Sequence, residues 1–140
     1  MKTLYTTQAT ATGGRTGSAR TADGALEVTL VTPKELGGPG GEGNNPEQLF
    51  AAGYSACFLG AIKFVAAQKK VQVAEDSTVS ATVGIGPRDD GQGFGLDVAL
   101  AVTLPGIERT TAQEIVDQAH IVCPYSHATR GSLDVRITLL

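Results

Sequence analysis

The chain is 140 residues long, about one domain, enough to bury a hydrophobic core without disulfide staples. It is 41% hydrophobic and 18% charged, and its 18 glycines call for several tight turns or close backbone approaches. A net charge of -3, with no cationic cluster denser than Lys69-Lys70, argues against a nucleic acid as the main partner. The segment Met1–Thr7 lacks the apolar core of a signal peptide, and the longest uncharged apolar stretch, Leu49 to Ile62, is too short to span a bilayer. The expectation is a cytoplasmic protein with no membrane partner. There, two cysteines read as core residues or as a transient redox pair, not as a structural disulfide.

In chain order, residues 3–12 are β-branched and aromatic enough for a strand that ends at Gly13-Gly14. Residues 15–21 form a second short strand candidate. A turn at Asp23-Gly24 leads into an alternating third strand over 25–31, and the three form a meander. The glycine-rich segment 37–43 is a loop. Asn45 as N-cap, Pro46 at the first helical position and Glu47 in the first turn then start a helix that runs to about Lys70. No polar face interrupts it between Leu49 and Ile62. It is therefore expected to be buried all round, partly by a second subunit.

Residues 77–85 and 94–104 alternate as a second hairpin across a turn from Pro87 to Gly93. Thr111 and Glu114 form a capping box for a second helix with the apolar face Ile115, Val116, Ala119 and Val122, ending near Cys123-Pro124. Residues 133–139 alternate as a last strand. Runs of strands without strict βα alternation define an α+β fold, read as one domain over 1–140.

Four residues carry candidate chemistry. Cys57 lies in the apolar helix, where a thiol is commonly a small core hydrophobe. As a nucleophile it needs a nearby cation, because it lies eleven residues past Pro46, beyond the reach of the helix dipole, and burial raises a thiol's pKa. Arg15, flanked by Gly13-Gly14 and Gly17, is the best candidate cation; the plainer reading is an exposed turn arginine. Glu47 can hold a guanidinium through two hydrogen bonds, or simply complement the helix dipole. Glu47 and Cys57 are ten residues apart, roughly 15 Å along one helix axis. If they act together, Glu47 comes from a neighbouring chain, while Arg15 serves the thiol of either chain. Cys123 ends the second helix as a core thiol or a redox partner.

Other chemistries find little support. His120 and Cys123 have only His127 and Cys57 to complete a zinc site, so no metal is expected. The loop 37–43 lacks the Lys-Ser/Thr of a phosphate loop, and Ser55 and Ser126 lack a nucleophile-elbow setting.

Asn45-Pro46-Glu47-Gln48-Leu49-Phe50-Ala51-Ala52-Gly53-Tyr54-Ser55-Ala56-Cys57-Phe58 resembles the peroxidatic-cysteine helix of the Ohr/OsmC family. His120-Ile121-Val122-Cys123-Pro124-Tyr125-Ser126, continuing to Gly131, resembles its resolving-cysteine motif, and the two cysteines stand about 65 residues apart. The likeness covers nearly the whole chain, and the Val-Cys-Pro-Tyr-Ser form points to the organic hydroperoxide resistance (Ohr) branch. Ser132 departs from the asparagine expected there. The resemblance implies Cys57 as peroxidatic, Cys123 as resolving, and Arg15 with Glu47 as the activating pair. It further implies an intertwined homodimer with antiparallel sheets wrapped around central helices. The implied substrate is an organic hydroperoxide, no cofactor is bound, and dihydrolipoamide or a lipoylated protein is the external reductant. The alternatives are a thiol redox sensor, an OsmC-type peroxidase of broader specificity, and a structural dimer module with inert thiols.

Overall fold

The computed structural model describes residues 1–140, which divide into two compact units, Met1–Leu49 and Phe50–Leu140. The first unit holds an antiparallel sheet in the order β1 (Ala9–Thr12), β2 (Ser18–Thr21), β3 (Glu27–Thr29). This is the expected meander with shorter strands. β1 starts at Ala9 rather than residue 3, because β2 ends opposite it at Thr21 and no partner strand reaches residues 3–7. The second strand starts late for a different reason. Gly13 and Gly14 both adopt positive φ, and residues Gly14–Thr16 form a 3-10 turn that displaces Arg15 from the ladder. At the β2–β3 turn Asp23 accepts from Thr21 Oγ1 and from the Ala25 N–H, the local bonding that favours Asp in turns.

Gly17 closes the Arg15 turn so tightly that an added Cβ would sit 1.7 Å from the Thr12 carbonyl oxygen. Backbone on both sides leaves no side chain to yield. Gly17→Ala is expected to cost about 3 kcal/mol in chemical denaturation, the upper end for overpacking. It should also release the Arg15 turn, seen as lost amide protection over residues 13–17.

Helix α1 (Pro46–Gln68) begins in the first unit and runs through the second. Asn45 Oδ1 accepts from the Gln48 N–H at 2.9 Å while Gln48 Oε1 accepts from the Asn45 N–H at 3.1 Å. This reciprocal cap fixes the helix start. With 23 residues and a mean hydropathy of 1.6 over its most apolar 18-residue stretch, α1 is by length and composition long and apolar enough to cross a membrane, longer than the run Leu49 to Ile62 suggested. Its inner side, however, joins a packed core.

The second unit packs α1 and α2 (Arg109–Val122) with the sheet β4 (Thr78–Pro87), β5 (Phe94–Thr103), β6 (Val135–Leu139). Tyr54, Phe58, Ile62 and Val65 of α1 meet Val98, Leu100 and Val102 of β5 and Ile115, Val116 and Ala119 of α2. The period-2 burial on β5 and the i, i+3, i+4 burial on the helices follow the patterns read from sequence. The Glu108 carboxylate accepts from the Thr110 and Thr111 N–H groups and so caps α2. The cap is therefore Glu108, not Thr111, since a carboxylate there satisfies two of the orphan donors at once.

Within the single chain α1 is buried on one side only, and Ala52, Ala56, Gly60 and Phe64 on its other side are exposed. Two expectations change. Val122 is exposed at the end of α2. β6 pairs parallel with β5, not antiparallel, because the crossover through α2 and α3 (Pro124–Thr129) returns the chain in the same direction. The first unit, by contrast with the second, has Leu30 as its one buried hydrophobic residue.

Candidate active site

The four residues singled out in the sequence form two pairs, one in each unit. In the first unit the Arg15 guanidinium donates from Nη1 to Glu47 Oε2 at 2.9 Å and from Nη2 to Oε1 at 2.6 Å. This is the two-pronged geometry that makes Arg–carboxylate pairs strong and directional. The 3-10 turn presents Arg15, and Thr32 Oγ1 donates to the Arg15 carbonyl from the side. The Glu47 side chain is 12% exposed and that of Arg15 38%.

The Arg15 hydrogen bonds hold the Glu47 carboxyl below its usual range, against a smaller opposing effect of burial. A depressed folded-state pKa means that the pair's stabilisation is present above the unfolded value of about 4.3 and is lost as pH falls through the folded value. NMR titration of the carboxyl carbon should find the Glu47 midpoint below that of a free glutamate. In Arg15→Ala the midpoint should move back to, or past, about 4.3.

In the second unit Cys57, half-buried on α1, lies 3.7 Å sulfur to sulfur from Cys123, which is fully buried. Cys123 stands at the corner where α2 ends and α3 begins. Pro124 forces the residue before it out of helical conformation, and Cys123 is accordingly extended at φ -65, ψ 125. Both thiols are reduced and within the reach of a disulfide after a shift of about 1.7 Å, given a bond of about 2.05 Å. Around them Phe50, Tyr54, Phe58 and Tyr125 form an aromatic cluster with ring centroids 5.7 to 6.5 Å apart. Phe64, 57% exposed and roughly 10 Å beyond Cys57 along the helix, stands apart from this cluster. Gly53 lets the cluster close: a Cβ there would meet the Tyr125 hydroxyl at 2.9 Å.

Burial pushes the Cys57 thiol up from its ordinary value. The Tyr125 backbone N–H works in the opposite direction, and the neighbouring Cys123 adds to the rise. No cation figures among these influences.

Sequence reasoning missed a polar arrangement beside the thiols. The Tyr54 hydroxyl and Ser126 Oγ, both on fully buried residues, are 2.9 Å apart, and His120 Nδ1 lies 3.0 Å from the same Ser126 Oγ. Arg130 Nη2 donates to the His120 carbonyl at 2.8 Å. The available signal was the spacing of three that separates Tyr54 from Cys57 and Cys123 from Ser126. In the sequence His120 reads only as a possible metal ligand, and no group of three His, Cys, Asp or Glu side chains converges on an ion-sized site.

An α+β scaffold that brings two free thiols into contact between a long apolar helix and a proline-fixed corner defines a candidate dithiol redox site. Residues 38–138 match the family model described as OsmC-like protein, and the chain belongs to the Ohr/OsmC family. It is 55% identical over 138 residues to the organic hydroperoxide resistance protein of Xanthomonas axonopodis pv. citri, covering 99% of this chain and 96% of that one. Among solved structures it resembles an organic hydroperoxide resistance protein from Elizabethkingia anophelis, with TM-score 0.92, 50% identity, and coverage of 99% and 98% of the two chains. OhrB of Bacillus subtilis gives TM-score 0.89 at 41% identity, covering 99% and 100%.

Proposed function

We propose that the protein is a cysteine-based peroxidase that reduces organic hydroperoxides and confers peroxide resistance. The observation that carries this reading is the 3.7 Å contact between Cys57 and Cys123. The names of its relatives, organic hydroperoxide resistance proteins, support it.

The Cys57 thiolate attacks the distal oxygen of ROOH, the O–O bond breaks, and the alkoxide leaves as ROH after taking a proton. Cys57 becomes a sulfenic acid. The Cys123 thiol then condenses with it, giving the disulfide and water. A dithiol such as dihydrolipoamide, free or on a lipoylated protein, restores both thiols by exchange and is itself oxidised to the cyclic disulfide. The aromatic cluster favours alkyl and fatty-acid hydroperoxides over hydrogen peroxide, and a reducing cytoplasm would keep both thiols free between turnovers.

Thiolate formation needs a cation, because burial alone raises the Cys57 pKa. Arg15, oriented by Glu47, supplies it in this reading. Ten residues of helix between Glu47 and Cys57 span roughly 15 Å, which favours an Arg15–Glu47 pair from a second copy of the chain. A homodimer is also favoured by the first unit's lone buried hydrophobic residue and by the exposed Ala52, Ala56, Gly60 and Phe64 of α1. A three-stranded sheet with so small a core needs another surface to cover it.

The test is peroxide consumption with and without dihydrolipoamide. Wild type should cycle, with kcat/KM for cumene hydroperoxide at least about tenfold above that for hydrogen peroxide, the scale of discrimination an apolar pocket gives. Cys123→Ser should consume about one equivalent and then lose most dithiol-supported cycling. Equal turnover of both peroxides removes the substrate preference, and no dithiol-supported turnover in wild type overturns the peroxidase.

A further inference from the structure

The contact between α1 and the α2–α3 corner is a ladder with two rungs. Cys57 meets Cys123 at 3.7 Å, and Tyr54, three residues earlier on α1, meets Ser126, three residues beyond Cys123, at 2.9 Å. A spacing of three keeps each set of residues on neighbouring positions of one helical surface. The hydroxyl rung is therefore the polar contact next to the thiols, and it ties α3 to the helix that bears Cys57. His120, reaching Ser126 Oγ at 3.0 Å from α2, ties the same atom to the helix before the corner. All three elements that set the position of Cys123 thus meet at one oxygen.

The direction of the bonds follows from counting hydrogens. Tyr54 and Ser126 each have one hydroxyl proton, both residues are fully buried, and buried donors are rarely left orphaned. Both protons find acceptors only if Tyr54 donates to Ser126 and Ser126 donates to a bare Nδ1 on neutral His120. A proton on Nδ1 would turn the ring into a donor and leave one buried hydroxyl proton without an acceptor. The Phe58 ring from α1 lies 6.5 Å from the imidazole by centroids. The charges felt at His120 are those of Arg130, which opposes protonation, and of Asp117 and Asp134, which favour it. Burial is the largest influence and lowers the His120 pKa. A cleft of about 400 Å³ bounded by His120, Ser126, Arg130 and Leu133 gives solvent protons a route to the ring.

We propose that Ser126, held between Tyr54 and neutral His120, is a positioning residue for disulfide closure and fixes where the Cys123 thiol meets the oxidised Cys57. The inference rests on the reading of Cys57 as peroxidatic and Cys123 as resolving. In the step concerned, the Cys123 sulfur attacks the Cys57 sulfenic sulfur, the S–S bond forms, the S–O bond breaks, and hydroxide leaves with the thiol's proton as water. Attack along the S–O axis tolerates little misplacement; an error of about 1 Å costs on the order of a hundredfold.

The experiment separates oxidation from closure. Fully reduced protein receives one equivalent of cumene hydroperoxide, is quenched at intervals with dimedone and N-ethylmaleimide, and is read by intact mass for sulfenic adduct against disulfide. Ser126→Ala is expected to oxidise Cys57 within about twofold of wild type but to close the disulfide ten- to a hundredfold more slowly, with the dimedone adduct dominating. Ser126→Thr, which keeps the hydroxyl, should recover most of the closure rate, and Tyr54→Phe should lose part of it. The ratio of closure rates between wild type and Ser126→Ala should shrink as pH falls through the His120 midpoint, located by imidazole NMR below the usual value of about 6.5. Closure by Ser126→Ala at the wild-type rate overturns the proposal. So does equal slowing of both steps with a lowered Tm and no recovery in Ser126→Thr. Wild type that consumes peroxide without forming the Cys57–Cys123 disulfide overturns the functional reading beneath it instead.

Discussion

Cys57→Ser is expected to abolish peroxide reduction, lowering kcat/KM for cumene hydroperoxide by roughly a thousandfold or more, because a serine hydroxyl does not ionise near neutral pH and cannot take up peroxide oxygen reversibly. Residual activity should not depend on dihydrolipoamide. The fold should survive, since Cys57 is only half-buried and the substitution changes one atom. The cost from placing a hydroxyl among Phe50, Tyr54 and Phe58 should stay near 1 kcal/mol, about the usual value for a point substitution. A far-UV spectrum unchanged beside lost turnover checks both halves of this outcome.

Arg15→Ala carries the second large effect. If the guanidinium supplies the charge that ionises Cys57, its removal should raise the thiol's midpoint by about one to three pH units, as read by thiolate absorbance near 240 nm. Peroxidase kcat/KM should fall on the order of a hundredfold, because in that case the same cation would also stabilise charge developing on the peroxide oxygens. Glu47→Gln should fall between wild type and Arg15→Ala. It keeps the cation but gives up the two charge-assisted bonds of 2.9 and 2.6 Å that orient it. A Cys57 midpoint indifferent to Arg15 would leave burial as the dominant influence, and the thiol would be mostly protonated at neutral pH.

How much of this was legible in the sequence differs by region. Alternation in 77–85 and 94–104 gave β4 and β5 nearly to the residue, because a long hairpin half-covered by helices shows its burial as a period of two. The start of α1 was legible from Asn45 and Pro46, since caps are local chemistry, although Gln48's reciprocal bond passed unnoticed. β1 and β2 were overdrawn because strand propensity in residues 3–8 and 15–17 does not show where a partner strand ends or where Gly13 and Gly14 turn the chain. The parallel placement of β6 is likewise a property of the α2–α3 crossover and not of its own residues.

For the candidate site, the glycines around Arg15 and the carboxylate at Glu47 suggested a pair, and the two-pronged bond between them is present. The meeting of Cys57 with Cys123 could be named only through likeness to a family, because nothing local brings residues so distant in sequence within 3.7 Å. Tyr54, Ser126 and His120 stayed hidden for the same reason. A serine without a nucleophile motif and a tyrosine in an apolar helix look ordinary until the fold stacks them beside the two sulfurs.

The most direct test is to treat the fully reduced protein with one equivalent of cumene hydroperoxide under denaturant-free conditions and map its cysteines by peptide mass. The account predicts that one equivalent of alcohol is released and that the Cys57 and Cys123 peptides become joined, two hydrogens lighter, in a form that dihydrolipoamide reverses. Recovery of both cysteines as free thiols with the peroxide unspent, or oxidation of Cys57 that never links to Cys123, would contradict it.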